Sequence, residues 1–128
     1  MYNIGFRAHD FGSYQSVEAL SEKVNSIINN APLQLAPLKS FPSKKDDVFL
    51  EDFASLCSSL LNVRILGSYI NPVHPDEDER RHGIDVFNRF LSVANAYGAY
   101  AVATETGSID PDCGYHPDTG KEETLSLF

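Results

Sequence analysis

The chain has 128 residues and a hydrophobic fraction of 42%, which suits one globular domain and is too apolar for a disordered chain. Its formal net charge is −8 with a pI near 4.8, and its closest basic pairs are Lys44–Lys45 and Arg80–Arg81. An acidic surface without a basic run repels phosphate backbones, so no nucleic-acid partner is expected.

Tyr2 to Arg7 is short and apolar and reads as a first strand, with His9-Asp10-Phe11-Gly12 as the loop after it. Ser16 is placed to cap a first helix, whose apolar face is Val17, Leu20, Val24, Ile27 and Ile28 at three- and four-residue spacing. Asn29-Asn30 and Pro32 close that helix. Leu33 to Ala36 is the second strand, and a loop runs on through Pro37, Pro42 and Ser43. Phe49, Phe53, Leu56 and Leu60 mark a second amphipathic helix, with Asp46 and Asp47 near its positive end.

Val63 to Ile70 is the third strand and Asn71-Pro72-Val73-His74-Pro75 its loop. Pro75 suits the first turn of a third helix, in which acids precede bases and Asp76–Arg80 and Glu77–Arg81 fall at pairing distance. Ile84, Phe87, Leu91 and Ala94 form its expected buried stripe, widened by Phe90 and Tyr97, and Gly98 stops it. Ala99 to Ala103 is the fourth strand. A polar loop leads from Thr104 to Thr119-Gly120-Lys121-Glu122, which fits a capping box ahead of an apolar face begun by Leu125 and Phe128.

The order β-α-β-α-β-α-β-α is the pattern of a parallel α/β sheet. Both a doubly wound sheet and half of an eight-fold βα barrel satisfy it. No Gly-x-Gly-x-x-Gly and no Walker loop follows a strand, which weakens nucleotide-binding readings. The fourth helix is begun with an N-terminal signal and given only about two turns, and the length falls well short of the ~250 residues of a complete barrel, so on the barrel reading the chain is expected to be a single incomplete domain, truncated within its fourth helix. Cys57 and Cys113 lie far apart, match no metal spacing and read as reduced thiols. No apolar run is long enough to span a membrane. Met1 to Asp10 also lacks the basic start of a secretory signal, so a cytoplasmic location is expected.

Four stretches together resemble the sugar-phosphate isomerase/epimerase family, the xylose isomerase-like barrels that share their fold with apurinic endonucleases. They are Ile4-Gly5-Phe6-Arg7, Ser68-Tyr69-Ile70-Asn71-Pro72, the acidic-then-basic start of the third helix, and Thr104-Glu105-Thr106-Gly107-Ser108. The resemblance implies the first four βα units of a TIM (β/α)8 barrel. It implies an enzyme that moves a proton between adjacent carbons of a small sugar or sugar phosphate, using a divalent metal (Mn, Mg or Zn). In that family the metal ligands and the proton-moving glutamates sit on strands five to eight, so no metal ligand is assigned here and the chain is expected to be inactive alone. The endonuclease branch carries a His near the third strand and another near the fourth. Here Leu66 and Gly67 stand near the first position and Glu105 at the second, which disfavours a multi-zinc phosphodiesterase.

Active sites of βα barrels lie at the carboxyl ends of the strands. That rule selects Glu105, Asn71, His74 and His9 as substrate-binding candidates. Glu105 follows an apolar strand at the mouth of the sheet; against it stands an ordinary exposed loop acid. Asn71 can donate to and accept from a hydroxyl, and His74 sits nearby, but Asn-Pro and His-Pro are also turn punctuation. His9 beside Asp10 suits proton exchange or a hydroxyl contact, or simple capping. Asp112, Cys113 and His116 are too few donors for a closed metal site, and Arg7 could face the sheet interior or an anion. Two further readings stay open: a non-catalytic half barrel that self-associates through its open sheet edges, and an apurinic-site nuclease relative.

Overall fold

The structure is a computed structural model that describes residues 4–127. Four strands, β1 (Phe6–Arg7), β2 (Pro32–Leu35), β3 (Asn62–Gly67) and β4 (Ala101–Ala103), form one sheet in the order β1-β2-β3-β4. Every neighbouring pair is parallel. The crossovers carry α1 (Val17–Asn25), α2 (Pro37–Ser40), α3 (Glu51–Leu60) and α4 (Glu77–Val93), and α5 (Glu122–Leu125) follows β4. The chain is therefore an α/β protein built as a parallel βα repeat.

Alternation along the strands separates two faces. Leu33 and Leu35 of β2 and Val63 and Leu66 of β3 are buried, and they share one core with Val17, Leu20 and Val24 of α1, Ala54 and Cys57 of α3, and Phe90 and Val93 of α4. Burying a leucine of this kind stabilises the fold by about 1.5–3 kcal/mol. The opposite side of the sheet has an open trough of about 700 Å³ toward the amino ends of the strands, lined by Gly5, Arg7, Asn30, Asn62, Arg64 and Tyr100 among others, and no helix residue lines it. The ladder shifts from Leu33 opposite Val63 to Gln34 opposite Ile65. Arg64 is the extra residue of that bulge and stays exposed.

Local chemistry sets the element ends. Ser16 Oγ accepts from the Ala19 amide at 3.2 Å and caps α1, as its sequence position suggests. The helix stops at Asn25, earlier than the apolar spacing implies, because Asn25 Oδ1 accepts from the Asn30 amide and Asn30 turns left-handed at φ 55°. Ile27 and Ile28 are consequently exposed rather than part of the core. Among the described residues the ladder of the first strand is Phe6–Arg7; Ile4 and Gly5 are exposed, and residues 2 and 3 lie outside the described residues.

Other expectations are corrected. Pro37 opens the unforeseen one-turn helix α2 instead of a loop. Asp47–Phe49 forms a separate 3-10 turn, so α3 begins at Glu51 and its first-turn acids are Glu51 and Asp52. Its buried positions are Ala54 and Cys57, while Leu56 and Leu60 are exposed. Asp76 caps α4, accepting from the amides of Asp78 and Glu79, so Pro75 lies outside the helix and Asp76 does not pair with Arg80. Glu77 and Arg81 do pair. Phe90, Val93 and Tyr97 are the buried residues of this region, whereas Ile84 and Leu91 are exposed. Gly98 at φ 75° makes the stop before β4.

The capping box at α5 does not form. Lys121 is the N-cap without a side-chain bond, and Thr119 Oγ1 turns instead to Ser108 Oγ at 3.1 Å. Leu125 is exposed, and Phe128 lies outside the described residues.

Candidate functional site

Because the strands are parallel, the segments that follow them collect at one end of the sheet. After β1 a 3-10 turn (Ala8–Phe11) carries His9 and Asp10; after β2 the short helix α2 carries Lys39; after β3 come Ser68 and Tyr69. Tyr69 is the centre of the assembly. Gln34 Nε2 of β2 donates to its hydroxyl oxygen at 2.9 Å. The His9 ring meets the Tyr69 ring edge-to-face with centroids 5.5 Å apart. The Lys39 ammonium stands 4.0 Å from the Tyr69 ring centre, in cation–π range.

Gly67 explains how a tyrosine fits there. A Cβ at Gly67 would stand 3.1 Å from Tyr69 Cε2 and 3.4 Å from Gln34 Nε2 and Ala36 Cβ. The missing side chain lets the ring fold back over the end of β2 and β3.

The electrostatics favour a neutral imidazole. Desolvation first, and the Lys39 charge second, push the His9 pKa below its ordinary value, with Asp10 opposing and Arg7 adding to the fall. His9 Nδ1 is buried and has no hydrogen-bond partner. Asp10 is held by Arg7 at 3.0 Å, and that contact raises the Arg7 pKa. A neutral imidazole can hydrogen-bond a hydroxyl through whichever ring nitrogen is accessible, and the Tyr69 hydroxyl, which accepts from Gln34, can direct its own O–H elsewhere.

Of the candidates read from sequence, His9 belongs to this cluster. Asn71 serves the fold instead, because its amide donates to the carbonyls of Ser108 and Asp110 and accepts from the Ser108 amide. His74 Nδ1 accepts from the Asp76 amide at 3.1 Å, and Arg80 donates to the His74 carbonyl, so this residue organises the start of α4. Glu105 is exposed and its nearest polar partner is Cys113, whose Sγ lies 4.0 Å from Glu105 Oε2. Burial and then the Glu105 charge raise the Cys113 pKa, which makes the thiol a poor nucleophile. On the same loop Asp112 is exposed, with its amide donating to Asp110 Oδ1, and His116 Nδ1 accepts from the Asp118 amide.

Gln34, Lys39 and Tyr69 were not legible as site residues. Gln34 left the clearest trace, a lone amide in the apolar run Leu33-Gln34-Leu35. Among the described residues no three His, Cys, Asp or Glu side chains converge as a metal-ligand set. The donors at the strand ends are one imidazole, a carboxylate already tied to Arg7, and a distant glutamate. They do not make a ligand set for a divalent ion. Among the described residues no helix is long and apolar enough to cross a membrane.

Comparison of the chain with known protein families, with characterised proteins and with solved structures finds no match. The class defined by the fold is thus an α/β protein with a four-stranded parallel sheet and its polar groups gathered at the carboxyl ends of three strands.

Proposed function

We propose that the chain forms four βα units of a barrel of the sugar-phosphate isomerase/epimerase type and holds a small sugar or sugar phosphate at the carboxyl ends of its strands. The observation that carries this reading is the strand order β1-β2-β3-β4 with every pair parallel. A doubly wound sheet reverses direction at a switch point, with orders such as 2-1-3-4, and covers both faces with helices. Successive crossovers of one hand in unbroken order keep the helices on one side, as a barrel requires. The helix-free trough at the amino ends of the strands fits the lower part of a barrel interior in this reading. His9, Gln34 and Tyr69 then stand where barrel enzymes hold substrate.

In this reading His9 and Tyr69 hydrogen-bond oxygens of the substrate, and a divalent metal and the acids that move carbon-bound protons would be held by strands that pair with β1 and β4. By itself the chain binds but does not turn over. A second reading has one observation in its favour: among the described residues β1 pairs only with β2 and β4 only with β3, so both edges are open to another copy. Sedimentation at micromolar concentration separates the two, since a monodisperse monomer removes the self-associating half barrel.

The binding reading is tested by amide chemical-shift mapping with a panel of aldoses, ketoses and their phosphates, with and without Mn²⁺ or Mg²⁺. Shifts concentrated at residues 8–11, 37–40 and 68–70 are expected. A panel that moves no resonance at these strand ends overturns the proposal.

A further inference from the structure

The groups around Tyr69 are suited to more than neutral hydroxyls. Lys39 is exposed, and its ammonium enters none of the ion pairs found among the described residues. It rests over the Tyr69 ring, 4.0 Å from the centre, where an aromatic face steadies the cation without neutralising it. Tyr69 already accepts from Gln34 Nε2 at 2.9 Å, so its own hydroxyl proton is directed elsewhere. His9 packs edge-on against the same ring at 5.5 Å between centroids. The carboxylate of Asp10, the one acid among these groups, is compensated by Arg7 at 3.0 Å. The cluster thus joins an unneutralised cation, a free O–H and an imidazole, drawn from the ends of β1, β2 and β3.

Donors in excess of acceptors, with a positive balance in a chain of net charge −8, call for an acceptor-rich anion. A planar carboxylate offers two oxygens in one plane. A phosphomonoester dianion offers three in a tetrahedral array, which suits donors arriving from three separate segments. We infer that the His9–Lys39–Tyr69 cluster anchors the phosphate group of a small phosphorylated polyol. Lys39 meets the charge, Tyr69 donates its hydroxyl proton to a phosphate oxygen, and His9 contacts the ester from the β1 side. The polyol part rests on the sugar reading above; the anion part stands on the cluster itself.

The test uses the full chain and four probes in calorimetry: ribose phosphate, ribose, inorganic phosphate and ribonate. Ribose phosphate is expected to bind about tenfold or more tightly than ribose, the scale of one charge-assisted contact. Lys39→Gln should remove that preference, and Tyr69→Phe should weaken ribose phosphate and, through the lost hydroxyl, ribose as well. Lys121→Gln, which alters a remote ion pair with Asp118, should change nothing. A bound dianion near Lys39, Arg7, Asp10 and Tyr69 should also move the His9 ring-proton titration to higher pH, because it favours the imidazolium. Ribose binding without a phosphate preference, or a preference that survives Lys39→Gln, overturns the inference and leaves the sugar reading intact. Tighter binding of ribonate than of ribose phosphate overturns the phosphate assignment. Inorganic phosphate binding lost in Lys39→Gln, without any gain from ribose, upholds the anchor and sinks the sugar reading. Four probes that fail to bind overturn both.

Discussion

Asn71 grips Ser108 from both sides of its peptide unit: Nδ2 donates to the Ser108 carbonyl at 2.6 Å and Oδ1 accepts from the Ser108 amide at 3.0 Å. The clasp ties the loop after β3 to the loop after β4, and Gly107 makes it sterically feasible. A Cβ at Gly107 would stand 2.5 Å from Asn71 Oδ1, and its backbone sits at φ 81°. Asn71→Ala therefore strips partners from a buried residue, Ser108, at about 1–3 kcal/mol. Asn71→Asp should be as harmful, since a carboxylate in that place faces two carbonyls it cannot bond. Urea denaturation reads the loss, and hydrogen exchange at residues 105–120 should accelerate in both variants. Wild-type exchange rates there would show that the clasp does not hold the loop.

Gly67 and Tyr69 make a second, sharper test of geometry. The Cβ of Gly67→Ala would come within 3.1 Å of the ring edge, closer than nearly all real contacts of that kind. The ring must shift, and the Gln34–Tyr69 bond lengthens or breaks. The expected cost is modest, about 1 kcal/mol, because the neighbour is a half-buried side chain rather than backbone. The local effect should be larger than the global one: the His9 and Tyr69 ring resonances should move strongly while the melting temperature falls by a few degrees. Unchanged ring resonances in Gly67→Ala would mean that Tyr69 does not lean on this position.

The same residues show how much was readable beforehand. The parallel βα order, the Ser16 cap and the Gly98 stop follow from spacing and turn chemistry, which act over a few residues. The strand order came only from the structure, because apolar runs do not say which strand lies beside which. Side-chain size misleads about helix faces: α3 buries the small Ala54 and Cys57 against the sheet and leaves Leu56 and Leu60 outside. Of the candidate cluster, His9 is readable in the sequence as a polar loop residue after a strand. Asn71 and His74 carry the same signal and in the structure make loop and turn contacts, since an amide or imidazole beside a proline serves a turn as readily as a ligand. Tyr69 and Lys39 gave no local pattern. Their meeting depends on Gly67 and on α2, both long-range consequences of the fold.

Two hydroxyls carry a stability expectation. Ser40 Oγ and Ser68 Oγ are buried without a hydrogen-bond partner, although both residues are almost fully enclosed. Ser68 borders a small cavity of about 50 Å³ shared with Lys39, Gly67, Tyr69 and Phe90. Removing a hydroxyl that forms no bond removes its desolvation penalty and loses no partner. Ser40→Ala and Ser68→Ala should each be neutral or stabilising by up to about 1 kcal/mol. They should add in the double variant if the sites are independent. Thermal melts check both; a loss of more than about 1 kcal/mol would reveal a hydrogen bond made to that hydroxyl, such as one from a water in the Ser68 cavity.

Alkaline pH should weaken the fold through Cys57 and Tyr97. Cys57 is fully buried, and desolvation, with a smaller push from Glu18, lifts its pKa from 9.0 to about 12. Between those values the unfolded chain releases the thiol proton and the folded chain keeps it. The folded state then binds more protons, so stability falls as pH rises, by at most about 1.4 kcal/mol per pH unit for one such group. Tyr97 adds to the slope above pH ~10, since burial and the nearby Cys57 raise its phenol in the same sense. Cys57→Ala should flatten the decline above pH ~9 and leave the Tyr97 contribution in place. Tyr97→Phe should behave differently. It removes the phenol titration, but it also breaks the buried bond from Tyr97 Oη to the Val48 carbonyl at 2.7 Å, costing about 1–3 kcal/mol even at neutral pH. Urea denaturation from neutral pH to about pH 11 separates these outcomes. A Cys57→Ala profile parallel to the wild type throughout would mean that the thiol ionises as readily in the folded protein as in the unfolded chain.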